Sequence, residues 1–161
     1  MIRDTTTGAK FEASTDLRKS FKDAKYKFKE NKASKGKHTV EFYSKGNFYT
    51  WLEAEHGIDY KTRLSSKLLP DEAVFCPKSL TLTIVEKKFQ QTHGSADEKL
   101  QTATFKHRQF TKLLAGTGIK VRYVYQLNEW FSQPKYVDVL AFIEEEGHAY
   151  FIGPIPVTYF K

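Results

Sequence analysis

Apolar positions recur at helical spacing near the start of the chain. Leu17, Phe21, Ala24 and Phe28 form a stripe, and Ser14 or Thr15 just ahead of it suits an N-cap. The pattern predicts a helix from residue 14 to about 31, inside a helical arm of about 12–36. A strand follows over His38 to Ser44, then the turn Lys45-Gly46-Asn47, then a short helix from Phe48 to His56 that Gly57 is placed to end. Strand-like runs come next at Tyr60 to Ser65, Glu72 to Phe75 and Leu80 to Lys88. The last is the clearest, because Thr81, Thr83, Ile84 and Val85 are β-branched. After the break at Gly94-Ser95, Ala96 to Leu114 reads as one long helix, closed by Gly116-Thr117-Gly118. Ile119 to Leu127 alternates as a strand, Pro134 opens a helix running to about Glu146, and Ala149 to Ile152 is a final strand.

The chain shows no repeat and no Pro/Gly/Ser-rich linker. It reads as one domain, the arm followed by a core of about 38–161. Three sequential strands before a long crossover helix predict an α/β fold with a mixed central sheet flanked by helices. A doubly wound nucleotide-binding fold is disfavoured, since neither G-x-G-x-x-G nor GK[ST] is present.

Composition narrows the class. With 161 residues, 40% hydrophobic and 24 aromatic (13 Phe, 9 Tyr, 2 Trp), the chain can build a real core and is not a disordered type. The single cysteine, Cys76, rules out an internal disulfide framework and a Cys-based zinc cluster, and reads best as a small buried hydrophobe. No run approaches the ~20 apolar residues of a membrane span. The opening stretch MIRDTTTGAKFEAS has no apolar segment and does not read as a secretory leader, and the lone cysteine makes a cytoplasmic protein the simplest expectation.

The net charge of +7 and pI near 9.3 favour a polyanionic partner, nucleic acid first. Nine Lys and Arg between positions 18 and 37 face only Asp23 and Glu30. Arg18, Lys22, Lys25, Lys29 and Lys32 run beside the apolar stripe, and Lys35 and Lys37 continue it. This is either a solvated helix face or a phosphate-contacting surface.

The candidate chemistry lies at Asp71, Glu86 and Lys88. Pro70-Asp71 stands at the entrance to one strand, and the next strand ends in Glu86-Lys87-Lys88. Positions i and i+2 of a strand share a face, so Glu86 and Lys88 project together and Lys87 points away. Paired strands lie about 4.8 Å apart, which brings Asp71 within reach if the two strands pair. Two carboxylates suit Mg²⁺, a hard ion that keeps several waters, and a neighbouring ammonium can orient a water or stabilise a charged transition state. The alternative is an ion pair on a sheet edge. The five histidines, His38, His56, His93, His107 and His148, show no His-x-x-x-His spacing and so do not suggest zinc.

Pro70-Asp71, then Glu86-Lys87-Lys88 after fourteen intervening residues, then VEKKFQQTHGSADEKLQTATFKHRQF, resembles the PD-(D/E)XK nuclease superfamily, with its restriction-endonuclease-like fold, and its type II restriction enzymes in particular. The expected helix–three strands–helix–strand order over about 47–127 fits that core. The resemblance covers the central half of the chain. It implies a Mg²⁺-dependent endonuclease acting on double-stranded DNA, with Mn²⁺ able to substitute. Asp71 and Glu86 would be metal ligands and Lys88 the catalytic lysine. A helical glutamate, Glu55 in preference to Glu53, would be a further ligand. Gln101-x-x-x-Phe105 only partly matches a Gln-x-x-x-Tyr that some relatives carry. Lys87, Gln90, Gln91 and Lys99, by proximity to the active strand, and Lys106 and Arg108, basic residues on the helix that follows, are candidate DNA contacts. Cutting both strands calls for a homodimer or a heterodimer with another nuclease or recognition subunit. A structure-selective junction or repair nuclease and a non-catalytic DNA-binding module of the same fold are the competing readings.

Overall fold

The computed structural model describes residues 5–161. Helices α1 (Thr5–Ser14) and α2 (Leu17–Asp23) lead into strands β1 (Lys27–Lys29), β2 (Lys32–Lys35) and β3 (His38–Tyr43). Helix α3 (Gly46–His56) precedes β4 (Glu72–Cys76) and β5 (Thr81–Lys88). Helices α4 (Ala96–Lys99) and α5 (Ala103–Leu113), strand β6 (Lys120–Leu127), helix α6 (Val137–Glu145) and strand β7 (Ala149–Ile152) complete the order. Among the described residues the strands make one seven-stranded sheet in chain order, β1 to β7. The first five run antiparallel as a meander, and β5, β6 and β7 are parallel. The expected α/β class and mixed sheet flanked by helices are therefore present. Among the described residues no helix is long and apolar enough to cross a membrane.

The sheet has an apolar layer on each face. Phe48, Trp51 and Leu52 of α3, Phe110 and Leu113 of α5, and Leu140 and Ile143 of α6 bury Ala73, Phe75, Leu82, Ile84, Tyr123 and Tyr125. On the opposite face Leu17 and Phe21 of α2, with Ile155 and Phe160 of the C-terminal segment, cover Val40, Phe42, Val74, Cys76, Val85 and Val124. Successive residues of β4, β5 and β6 alternate between the two layers, as the pleat requires.

The long N-terminal helix expected over 14–31 is not formed. Ser14 and Thr15 lie at the end of α1, where both hydroxyls donate to the Phe11 carbonyl. Asp16 instead caps α2, accepting the Lys19 N–H at 3.2 Å. The helix then stops at a Schellman turn. Lys25 adopts φ +69°, its N–H donates to the Lys22 carbonyl, and the Tyr26 N–H donates to the Phe21 carbonyl. Phe21 and Tyr26 close the turn with ring centroids 4.8 Å apart. Such a turn is usually announced by glycine, and here a lysine occupies the left-handed position. Beyond it the chain forms the β1–β2 hairpin, whose Glu30-Asn31 turn is pinned by Arg18 on the Glu30 carbonyl and by Asn31 on Phe42. Phe28 leaves the helical stripe and stacks on Phe42. Lys27, Lys29, Lys32 and Lys35 consequently belong to an edge hairpin.

Two further expectations change. Tyr60 to Ser65 is not a strand but a 3-10 turn at Tyr60–Thr62, capped by the Asp59 carboxylate, because β3 already occupies the edge of β4. The order over 46–127 is thus helix, two strands, helix, strand. The third member of the antiparallel trio, β3, precedes α3 instead of following it. The single helix expected over 96–114 is divided at Leu100–Thr102, where the Lys99 carbonyl accepts the hydroxyls of Thr102 (2.7 Å) and Tyr125 (2.8 Å) and the turn tightens to 3-10 geometry.

Lys25→Gly is expected to stabilise the protein by about 0.5–1 kcal/mol, because glycine takes the left-handed conformation without a Cβ clash. Urea denaturation followed by circular dichroism measures it. An unchanged or lowered midpoint would mean that the lysine is not strained there.

Candidate functional site

Asp71 is brought to the sheet by the loop that follows Leu64. The Tyr49 hydroxyl donates to the Leu68 carbonyl and accepts the Leu68 N–H at 3.1 Å, and the Lys45 N–H donates to the Pro70 carbonyl at 2.9 Å. The register Glu72↔Val85 then sets Asp71 one step beyond the last ladder pair, opposite Glu86. Its Oδ2 accepts the backbone N–H of Lys87 at 3.0 Å. The pairing on which the sequence argument depended is present, and Asp71 and the end of β5 are joined.

Glu86 and Lys88 lie on the face covered by α5. Among the described residues four contacts reach the Glu86 carboxylate. Lys88 Nζ is 2.7 Å from Oε1, Lys106 Nζ bridges Oε1 at 2.8 Å and Oε2 at 3.0 Å, and the Tyr123 hydroxyl donates to Oε2. Only 15% of the Glu86 side chain is exposed, so the charge is largely desolvated. Burial pushes its carboxyl upward, but the Lys106 and Lys88 ammonium groups more than offset this and hold it below the ordinary carboxylate range. Leu68, Leu69, Pro70, Ile84, Phe110 and Tyr123 wall a cavity of about 70 Å³ against Glu86 and Lys106. That is room for about two waters.

This donor set can be tested against a divalent metal. Among the described residues no group of three or more His, Cys, Asp or Glu converges to hold one. Mg²⁺ binds through one or two carboxylates and keeps its waters, whereas Zn²⁺ would want more protein ligands, and of the two carboxylates Glu86 is the one that lines the cavity. Mg²⁺ is the ion this donor set would suit, with Glu86 at the cavity and Asp71 opposite it in register as the residues that would hold it.

The other candidate residues are dispersed. Glu55 and Glu53 are exposed on α3, and Glu55 lines a separate cleft with Tyr43, Trp51, Phe75 and Leu80. Neither joins the Glu86 cavity. Lys87 points to the opposite face and pairs with Glu12 at 3.6 Å. Gln90 is buried, its side chain donating to Asp97 at 3.3 Å and its backbone N–H to Asn128 at 3.1 Å, so it braces the loop after β5. Gln91 is half-buried beside it, and Lys99 and Arg108 are exposed. Lys106 turns inward to Glu86. Gln101 and Phe105 face solvent, with Phe105 62% exposed.

Two residues escaped the sequence reading. Tyr123 reaches Glu86 because β6 lies parallel to β5 with Ile84↔Tyr123 in register, and the alternation of β6 was the only available signal. Glu72 lies back to back with the site, on the other face. Its Oε1 is buried without a hydrogen-bond partner. Burial raises its carboxyl to about 7, against the opposing influence of Arg18 and Lys87.

No family model, no curated protein and no solved structure matches the chain.

Glu72 sets an expected pH dependence. Its folded-state value of about 7 stands above the ordinary 4.5, so the stability tied to its neutral form is complete below about pH 4.5 and is lost as pH rises through 7. Glu72→Gln should be more stable than wild type by about 2 kcal/mol near pH 8, with the gap closing toward pH 5. Thermal melts at the two pH values measure it, and a constant gap would contradict the assignment.

Proposed function

We propose that the protein is a metal-dependent endonuclease that hydrolyses DNA phosphodiester bonds, a type II restriction endonuclease or a subunit of one, built on a PD-(D/E)XK-like core. The observation that carries this reading is the junction of Asp71 with the end of β5, where Glu86 and Lys88 share one face beside a small cavity.

Asp71 and Glu86 would hold Mg²⁺, with Mn²⁺ substituting. When bound, the ion supplies charge neutralisation at the scissile phosphate and a lowered pKa for an attacking water. Lys88, fixed against Glu86, orients that water and donates to the charge that develops on phosphorus-bound oxygen. Asp71 is held by the Lys87 amide, so its carboxylate is oriented in advance. The basic hairpin and α2, with Lys19, Lys22, Lys25, Lys27, Lys29, Lys32 and Lys35, offer a surface for the phosphate backbone. One site of this kind cuts one strand, so double-strand cleavage calls for a second copy or a catalytic partner.

One observation favours a second reading. Glu86 is already paired with both Lys88 and Lys106, and Asp71 accepts the Lys87 amide, so the cluster stands without a metal, as in a DNA-binding module of the same fold.

Supercoiled plasmid and linear duplex, incubated with the protein in Mg²⁺, in Mn²⁺ and in EDTA, separate the two. The expected result is metal-dependent cleavage, abolished by EDTA. Asp71→Ala and Glu86→Gln should each reduce it by at least about a hundredfold, the scale of the several kcal/mol that a metal contributes. Salt-sensitive DNA binding without cleavage in either metal, four-way junctions included, would reject the enzyme and leave the binding module.

A further inference from the structure

We propose that Lys106 acts as a built-in counter-ion that competes with the divalent cation for Glu86 and gives way to it when the DNA backbone binds, so that metal and DNA load together. This rests on the reading that Glu86 is a metal ligand.

An ionised carboxylate offers about four lone-pair positions. Among the described residues Glu86 has four contacts: Lys88 on Oε1, Lys106 on Oε1 and again on Oε2, and the Tyr123 hydroxyl on Oε2. Its acceptor capacity is fully used, so a cation reaches Glu86 only if a donor leaves. Tyr123 is 1% exposed and anchored in β6, and moving it would strand a buried hydroxyl. Lys88 is on the same strand as Glu86 and is 17% exposed. Lys106 comes from a different element, α5, is the most exposed of the three at 24%, and holds two of the four positions. It is the donor that can leave.

Its departure in the free protein would leave an ammonium facing a divalent cation with no anion between them. A phosphate arriving at the cavity removes that cost, since Lys106 transfers from carboxylate to phosphate oxygen while the cation takes its place. Coupling of this kind is reciprocal. Whatever frees Lys106 for phosphate favours the cation, and whatever draws the cation to Glu86 favours phosphate.

The test begins without DNA. Mn²⁺ is titrated into the purified protein and free Mn²⁺ is read by electron paramagnetic resonance. Lys106→Gln should bind Mn²⁺ roughly tenfold more tightly than wild type, as removal of one ammonium beside the site predicts. Lys106→Arg, which keeps the charge, should stay near wild type, and adding Glu86→Gln should abolish the gain. In EDTA, binding of a short fluorescent duplex followed by anisotropy should tighten in Glu86→Gln, which releases Lys106, and the gain should disappear when Lys106→Gln is added. A Glu86-dependent Mn²⁺ site whose affinity is the same or weaker in Lys106→Gln overturns the proposal and leaves the metal reading standing. Mn²⁺ binding that is absent from every variant, or persists unchanged in Glu86→Gln, overturns both.

Discussion

Strand β5 is the constraint on which the site depends. It is hydrogen-bonded on both edges, antiparallel to β4 and parallel to β6, and its residues Leu82 to Val85 are buried in alternating layers. A strand held this way can carry charge only near its end. Glu86 and Lys88 therefore emerge where the apolar run stops, in a position too enclosed for bulk water to solvate them fully. A carboxylate in that position is costly unless its oxygens are met by donors. Its own strand and two neighbouring elements supply them: Lys88 from β5, Lys106 from α5 and Tyr123 from β6. Asp71, entering from the β4 side, is met by the Lys87 amide.

The two sides of the sheet at this end show the same physics with opposite outcomes. Glu86 and Glu72 are both desolvated. Glu86 is in direct contact with two ammonium groups and its ionised form is favoured. Glu72 feels Arg18 and Lys87 only at longer range, keeps one oxygen without a partner and is held near 7. Contact, more than net charge nearby, decides which carboxylate can stay ionised. One face of the sheet end is thus prepared for charge chemistry, and the other is a packing surface carrying a poorly compensated acid.

The basic character of the chain is arranged by the same sheet. The hairpin β1–β2 extends the meander to an edge and places its lysines on a strand pair, at the far side of β3 from the Glu86 cavity. Lysine on an edge strand also deters pairing with another chain, so these residues contribute to keeping the edge solvated as well as to any attraction for phosphate.

The mixed sheet, the strands from His38 onward apart from Tyr60 to Ser65, the helix ending at Gly57 and the side-by-side placement of Glu86 and Lys88 were all legible from periodicity. Each follows from a local rule: two-residue alternation, β-branched enrichment, or a glycine where the backbone turns left-handed. The N-terminal hairpin was not legible. Leu17, Phe21, Ala24 and Phe28 keep helical spacing across a break that Lys25 makes without the usual glycine, and contacts with distant residues, such as Phe28 on Phe42 and Arg18 on the Glu30 carbonyl, help to hold the alternative. The distant partners of Glu86 were equally hidden, because Lys106 lies twenty residues away on a helix and Tyr123 thirty-seven away on a strand. Local chemistry dictates which face a side chain takes along its own strand. Which strand lies alongside, in what register, and which distant donor meets a buried charge depend on contacts between segments far apart in the chain, and those are settled when the sheet assembles.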